Sequence, residues 1–266
     1  MKKHLLVVAM AVLTTLVACK KEKGTETGGT GGGPSNPAST KTLKKMVETR
    51  AGQTTTYNFS YNAGKQLTSV KSTDNSEALS FTYDGNGNVT KIESKDGSDR
   101  EVFEFMYANG VPVTGSFKSY ELNEAQAEIL AEQYAFAYTV ENNQVTKIKA
   151  IVPADPENDQ EGYELDYNLS YTNGNLTKVE SAGVFAYTAT FTYGNKKPIL
   201  PKVLKYALDP AGFSLEFFAK NDLLTKSFDY PGTEMDDTIT NVYTYDADGY
   251  VLTSNDGETQ TTFQYE

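Results

Sequence analysis

Residues 81–92 read Phe81-Thr82-Tyr83-Asp84-Gly85-Asn86-Gly87-Asn88-Val89-Thr90-Lys91-Ile92, and variants of this unit recur almost to the last residue. Each copy is an aromatic strand, a Gly/Asn turn, and a second strand that opens with an apolar-Thr-Lys-apolar tetrad. Tyr57, Phe59 and Tyr61 alternate with Asn58 and Ser60, so one face of that strand is aromatic and the other polar. Asn-Gly and Asp-Gly turns supply the positive φ that tight hairpins require. The best neighbouring copies lie about 22 residues apart, the length of one hairpin with its connections. Further copies centre on Tyr107, Tyr138, Tyr171, Tyr193 and Tyr245, and a weak one begins at Phe217-Phe218. Phe263-Gln264-Tyr265 reads as a last strand.

About eight hairpins give roughly sixteen strands, too many for a flat sheet. The expected fold is all-β: an antiparallel meander of repeated hairpins curled into a barrel-like or half-barrel sheet, with one short α-helix. Leu67/Val70, Val89/Ile92, Val145/Ile148 and Leu176/Val179 are apolar at i and i+3, which in a regular strand face opposite sides. Either the intervening Thr-Lys pair holds a β-bulge, or both faces of the sheet are covered. The helix is expected from Asn123, with Gln126 in the capping-box position and Ala127, Leu130, Ala131 and Tyr134 on one face. Residues 197–210, broken by prolines, read as an irregular crossover.

The N-terminus is a separate matter. A short basic segment, Met1-Lys2-Lys3-His4, precedes an apolar run too short to span a membrane, which ends Leu16-Val17-Ala18-Cys19. This resembles the lipobox of bacterial lipoproteins. The resemblance implies a signal peptide at 1–18, cleavage before Cys19, and lipid on Cys19. Residues 19–42 lack large apolar side chains and are rich in Gly, Ser, Thr and Pro, so they form a flexible tether of random-coil span ~25–30 Å. Residues 43–266 are the β domain. Localisation at the outer membrane, facing periplasm or exterior, follows from the anchor.

The Tyr-x-Tyr-Asp-x-x-Gly-x-Val/Leu pattern of residues 81–92 and 243–253 resembles the tyrosine-aspartate repeats of RHS-type proteins. With the lipobox and Gly-rich tether, residues 43–266 are similar to a family of Bacteroidetes lipoproteins of unknown function. That resemblance implies a porin-like fold of many antiparallel strands and is silent on activity. RHS shells are far larger and enclose a toxin, and a chain of 266 residues leaves no room for such cargo.

Composition excludes more chemistry than it suggests. The chain has 1 His and 1 Cys, His4 and Cys19. After cleavage no His remains and the Cys carries lipid, so Ser-His-Asp and Cys-His catalysis and His/Cys zinc sites fall away. A net charge of -11 disfavours a nucleic-acid partner. Asp84-Gly85-Asn86-Gly87-Asn88 and Asp246-Ala247-Asp248-Gly249 resemble calcium loops but lack the EF-hand spacing; turn chemistry accounts for both. No catalytic, metal or cofactor-binding residue is assigned. The Thr/Ser/Asn face, including Thr188, Thr190 and Thr192, would suit a solvated lumen, and the aromatic face a core. The expected role is a non-enzymatic binding or structural module, attached to the membrane through Cys19, with a glycan or envelope protein as partner. Two alternatives are a carboxylate-dependent glycan hydrolase and a transmembrane β-barrel. The breaks in the repeat, near Asn123, Asp159 and Pro201, are where function is expected.

Overall fold

The computed structural model describes residues 41–154, 161–182, 186–206 and 213–266. The expected signal peptide, Cys19, the tether to residue 40 and residues 155–160 of the acidic loop lie outside them. The strands in the first half are β1 (Leu43–Arg50), β2 (Gln53–Tyr61), β3 (Leu67–Ser72), β4 (Glu77–Tyr83), β5 (Val89–Asp96), β6 (Asp99–Ala108), β7 (Val111–Leu122), β8 (Glu128–Glu141) and β9 (Gln144–Val152). In the second half are β10 (Tyr163–Thr172), β11 (Asn175–Ala182), β12 (Tyr187–Tyr193), helix α1 (Phe213–Phe218), β13 (Leu223–Asp229), β14 (Asp237–Thr240), β15 (Val242–Tyr245), β16 (Val251–Asn255) and β17 (Thr259–Tyr265).

These strands form one sheet that closes on itself, because β1 pairs antiparallel with both β2 and β17. An antiparallel ring needs an even number of staves, yet the strands number 17. Asn241 resolves the parity. It interrupts a single stave whose first half, β14, pairs with β13 and whose second half, β15, pairs with β16. Its backbone N–H donates to Leu224 O (2.8 Å) and its side-chain amide to Leu223 O (3.2 Å), so the break stays fastened. The barrel therefore has 16 staves and one offset seam.

The i, i+3 rule is a bulge. In β2–β3 the register passes from Ser60↔Ser69 to Tyr61↔Leu67, leaving Thr68 as the extra residue. Thr90, Thr146 and Thr177 are extra in the same way in β4–β5, β8–β9 and β10–β11. Each bulge turns both apolar residues of its tetrad inward. The Thr hydroxyls of 68, 90 and 177 donate across to Ser60, Thr82 and Ser170 carbonyls at 3.1–3.3 Å. Where the bulge residue is instead Val113 or Leu252, it stands exposed on the outer wall. Repeated bulges add local twist, which helps the sheet close.

The tyrosine of the repeat has a polar task as well as a packing one. Tyr61, Tyr83, Tyr107, Tyr193 and Tyr243 donate their hydroxyls to the carbonyls of Leu43, Leu67, Val89, Leu176 and Leu223 at 2.6–2.8 Å. Each acceptor is the first or second residue of the stave before the tyrosine's own, beside a bulge, where regular ladder pairing is disrupted. Burial pushes the Tyr83 hydroxyl up to about 12. Tyr83→Phe keeps the ring and strands the carbonyl. It should cost about 1 kcal/mol and a few degrees of melting temperature; an unchanged melting curve would show that the hydroxyl is dispensable.

The aromatic face points inward, as alternation predicts. Tyr57, Phe59, Phe81 and Phe191 are buried, and Tyr61, Tyr83, Tyr193 and Tyr245 pack half-buried against them. The Thr face is therefore the outer wall, not a lumen: Thr190 and Thr192 are exposed on β12, between inward Ala189, Phe191 and Tyr193.

The interior is filled from two described stretches between β12 and β13, residues 197–206 and residues 213–222, the second of which begins with α1. Leu204, Leu215 and Phe217 have 2% or less of their surface exposed. Phe217 meets Phe81 of β4 edge-on (5.3 Å) and Phe218 meets Tyr171 of β10 (6.0 Å), so α1 bridges distant walls. Asp222 fastens the plug: it accepts from Lys196 N (2.7 Å) and the Tyr245 hydroxyl (2.6 Å).

The expected helix at Asn123 is not formed. Residues 123–127 are the turn between β7 and β8. Asn123 Oδ1 accepts from Ala125 N and Ala127 N, closing an Asx-type turn, and Gln126 has φ 60°, which a helix excludes. The short helix is α1 instead, and Phe217-Phe218, read as strand, lie in it.

Candidate functional site

A meander places alternate turns at opposite ends of the barrel. One end holds the Gly/Asn turns of the repeat, the plug's two limbs and both ends of the described chain. There Thr42 and Glu266 pair through their backbones (2.8 and 3.0 Å), and Lys41 N donates to the Tyr250 hydroxyl. The opposite end holds the turns after β1, β3, β5, β7, β9, β11, β13 and β16.

Polarity changes along the axis. Inward residues of β5 run Val89, Ile92, Ser94, Asp96; those of β1 run Leu43, Met46, Glu48; those of β3 run Leu67, Val70, Ser72. Going the other way, β4 runs Tyr83, Phe81, Leu79, Glu77. The plugged end is thus aliphatic and aromatic, and the far end is a polar mouth.

The mouth has two walls. On β8, β10, β12 and β13 the inward residues Tyr134, Tyr163, Tyr167, Tyr187 and Phe228 are half-buried. Tyr187 lies 6.3 Å from Tyr167 and 5.8 Å from Tyr230, and Phe228 stacks with Tyr230 at 6.4 Å. Tyr134 stacks on Phe117 (5.4 Å, 9°) and donates to Glu132 at 2.7 Å. Burial together with the Glu132 contact pushes the Tyr134 hydroxyl well up, so it stays a proton donor.

The facing wall, from β17 through β6, carries hydroxyls and carboxylates: Thr259, Thr261, Glu48, Ser72, Glu77 and Glu101. Tyr57 donates to Glu77 at 2.7 Å. A cavity of 10 Å³ lies beside Tyr57, Leu79, Glu77 and Ser94, room for about one water. Glu48 is the outlier. It is 6% exposed and its Oε2 has no hydrogen-bond partner. Burial, reinforced by the charge of Glu77, pushes its carboxyl from 4.5 up to about 7. Deeper in, Glu216 of α1 pairs with Lys226 of β13 at 3.3 Å.

The stretches singled out in the sequence fare differently. Asp84 Oδ1 accepts from Asn86 N and Asn88 N, and Oδ2 from the Asn88 amide, so its carboxylate is spent organising its own turn. Asp246 does the same for Asp248 N and Tyr250 N and also pairs with Lys41. Among the described residues no group of three or more His, Cys, Asp or Glu could hold a metal ion. The crossover near Pro201 is the plug. The mouth itself was missed. Its signal was present in the apolar-to-polar gradient of β1, β3, β4 and β5, but only closure brings those strand ends together with the tyrosines of β10 and β12.

No family model and no curated protein matches the chain. Solved structures do. A porin-like protein from Bacteroides vulgatus ATCC 8482 superimposes with TM-score 0.53 at 10% identity, over 84% of this chain and 98% of that one. The chain shares its fold with that protein. A porin-like protein from Bacteroides uniformis ATCC 8492 matches at 16% identity and TM-score 0.48, over 86% and 99% of the two chains. The TcdB2-TccC3-TEV structure matches at TM-score 0.21 and 11% identity, over 80% of this chain and 14% of that one.

The outward faces of β10 and β12 have the opposite polarity to those of a membrane-spanning barrel. A lipid-facing barrel carries an outward apolar band with aromatic girdles. Here the outward residues of β10 are Glu164, Asp166, Asn168 and Ser170, and those of β12 are Thr188, Thr190 and Thr192. Ion pairs cross the outer wall: Lys149–Glu164 (2.6 Å), Lys147–Asp166 (3.0 Å) and Lys178–Glu180 (2.7 Å). Charges on these faces would be costly against hydrocarbon.

Proposed function

We propose that this chain is a lipid-anchored, non-enzymatic binding module of the cell envelope, and that it takes a carbohydrate at its polar mouth end. One observation carries the proposal: the plug's limbs and the start of the described chain share one end of the barrel, and at the other end half-buried tyrosine rings on one arc of the wall lie across from carboxylates and hydroxyls on the opposite arc. Ring faces stack on the C–H faces of a sugar, while Glu77 and Glu101 accept hydrogen bonds from its hydroxyls. With the anchor at Cys19, the mouth points away from the membrane, and the tether lets it stand ~25–30 Å off.

A glycan array probed with the soluble barrel tests this directly. Binding is expected, and Tyr187→Ala or Tyr163→Ala should weaken it about ten-fold or more by removing a stacking face. Absence of binding to any glycan would end the carbohydrate assignment. Turnover of a bound glycan, lost in Glu77→Gln, would replace binding with carboxylate-dependent hydrolysis.

A further inference from the structure

The plugged end has an electrostatic character that the overall charge conceals. Five lysines, Lys196, Lys197, Lys202, Lys205 and Lys220, lie on the plug's limbs. Four are exposed and Lys197 is half-buried. Nearby contacts place them at the repeat-turn end. Lys220 Nζ donates to Asn173 O in the β10–β11 turn (3.0 Å), and Lys197 lies 3.7 Å over the Tyr250 ring beside the β15–β16 turn. Lys196 and Lys202 lie over Tyr245 and Phe218, both at that end. Lys205 lies over Tyr206, which is close enough to Tyr107 at the end of β6 to influence its hydroxyl.

No ion pair among the described residues involves any of these five; of the side-wall lysines, 91, 147, 149 and 178 are paired, while 71 and 118 are unpaired but lie on separate strands rather than in one cluster. The acids at this end are largely committed. Asp246 and Asp248 hold Lys41, Glu266 holds Lys44, Asp84 holds its turn, and Asp222 is 1% exposed. Glu141 remains exposed at the tip of β8. The mouth end is acidic on balance: Asp96, Asp99, Glu121, Glu124 and Asp236 lie on its rim, where Arg50 is paired with Glu258 and Arg100 with Glu128, and Lys95 is the remaining nearby cation. In a chain of net charge -11 the molecule is therefore an axial dipole: basic at the plug, acidic at the mouth.

We infer that the plug's lysine face is a docking surface for an anionic membrane, which holds the barrel upright with its mouth outward. Charge complementarity is one ground. The place where the chain arrives is the other: residue 41 enters at this end, so any membrane attachment upstream brings this face nearest the headgroups. Lysines near an anionic leaflet each add to attraction within a Debye length, and the acidic mouth is repelled from the same surface. The inference does not depend on what the mouth binds.

The test uses residues 19–266 with Cys19→Ser, which lacks the lipid. All strand pairings and core contacts described above fall within residues 41–266, so this portion has its own closed core. At low ionic strength it should co-sediment with phosphatidylcholine/phosphatidylglycerol vesicles, not with phosphatidylcholine alone, and be released by salt. Combined Lys196→Glu, Lys202→Glu, Lys205→Glu and Lys220→Glu should weaken that association at least about a hundred-fold. The same four changed to Gln should weaken it less and guard against misfolding. Reversing Lys71, Lys118, Lys147 and Lys178 on the side wall should leave it within about three-fold. Equal binding to both vesicle types, no binding to either, or loss from the side-wall variant equal to that from the plug variant would each overturn the inference.

Discussion

Phe217→Ala should destabilise the barrel by about 3–5 kcal/mol, the cost of deleting a large aromatic from a core that cannot collapse around the gap. Phe217 is 2% exposed, meets Phe81 edge-on at 5.3 Å, and accepts at its backbone carbonyl from Val203 N and Leu204 N. It therefore joins the helical limb of the plug to the incoming limb and both to the wall. A closed sheet has no free edge that can shift inward, so the cavity persists. At about 2–4 °C per kcal/mol for a domain of this size, a fall in melting temperature near 10 °C is expected. A loss below about 1 kcal/mol would mean that the plug packs independently of this side chain.

Glu48→Gln should act in the other direction and depend on pH. Burial and the neighbouring Glu77 raise the folded Glu48 carboxyl from the ordinary 4.5 to about 7. Below pH 4.5 it is neutral in both folded and unfolded chains and costs nothing. Between 4.5 and about 7 only the unfolded chain ionises it, so its contribution to stability falls as pH rises. Above about 7 the folded barrel carries the buried charge, and the penalty levels off near 3 kcal/mol. The glutamine variant stays neutral throughout. It should match the parent at pH 4 and exceed it by about 2–3 kcal/mol at pH 8. Urea denaturation at the two pH values measures the difference; a constant gap between the curves, or no gap, would remove Glu48 as its source.

The distribution of what was legible has a physical logic. A two-residue period is local and survives any tertiary context, so the aromatic face was read correctly from Tyr57, Phe59 and Tyr61. The bulge was legible only as one of two readings, because apolar-Thr-Lys-apolar breaks the two-residue period the same way in each clear copy; the register shifts decide for it. The helix at 123–134 was a false period. Tyr134 belongs to the alternation Tyr134/Phe136/Tyr138, and Leu130 stands 46% exposed on the hairpin rather than on a buried helical stripe. The true helix, six residues long, is too short to show a period at all.

By itself the sequence determined the hairpin unit, its turns and the aromatic face that packs as core, and narrowed the tetrads to a bulge or a doubly covered sheet, because each rests on contacts within a couple of dozen residues. Only the tertiary structure decided that the meander closes, that the break at Asn241 makes the stave number even, and that the described stretches between β12 and β13 fill the interior. Those outcomes depend on pairing β1 with β17, about two hundred residues apart. They also create the features with no local signature: a mouth of tyrosines facing carboxylates, a buried Glu48, and a plug face whose lysines are far apart in charge from the acidic rim. Closure gathers the strand ends into an inside with two different ends.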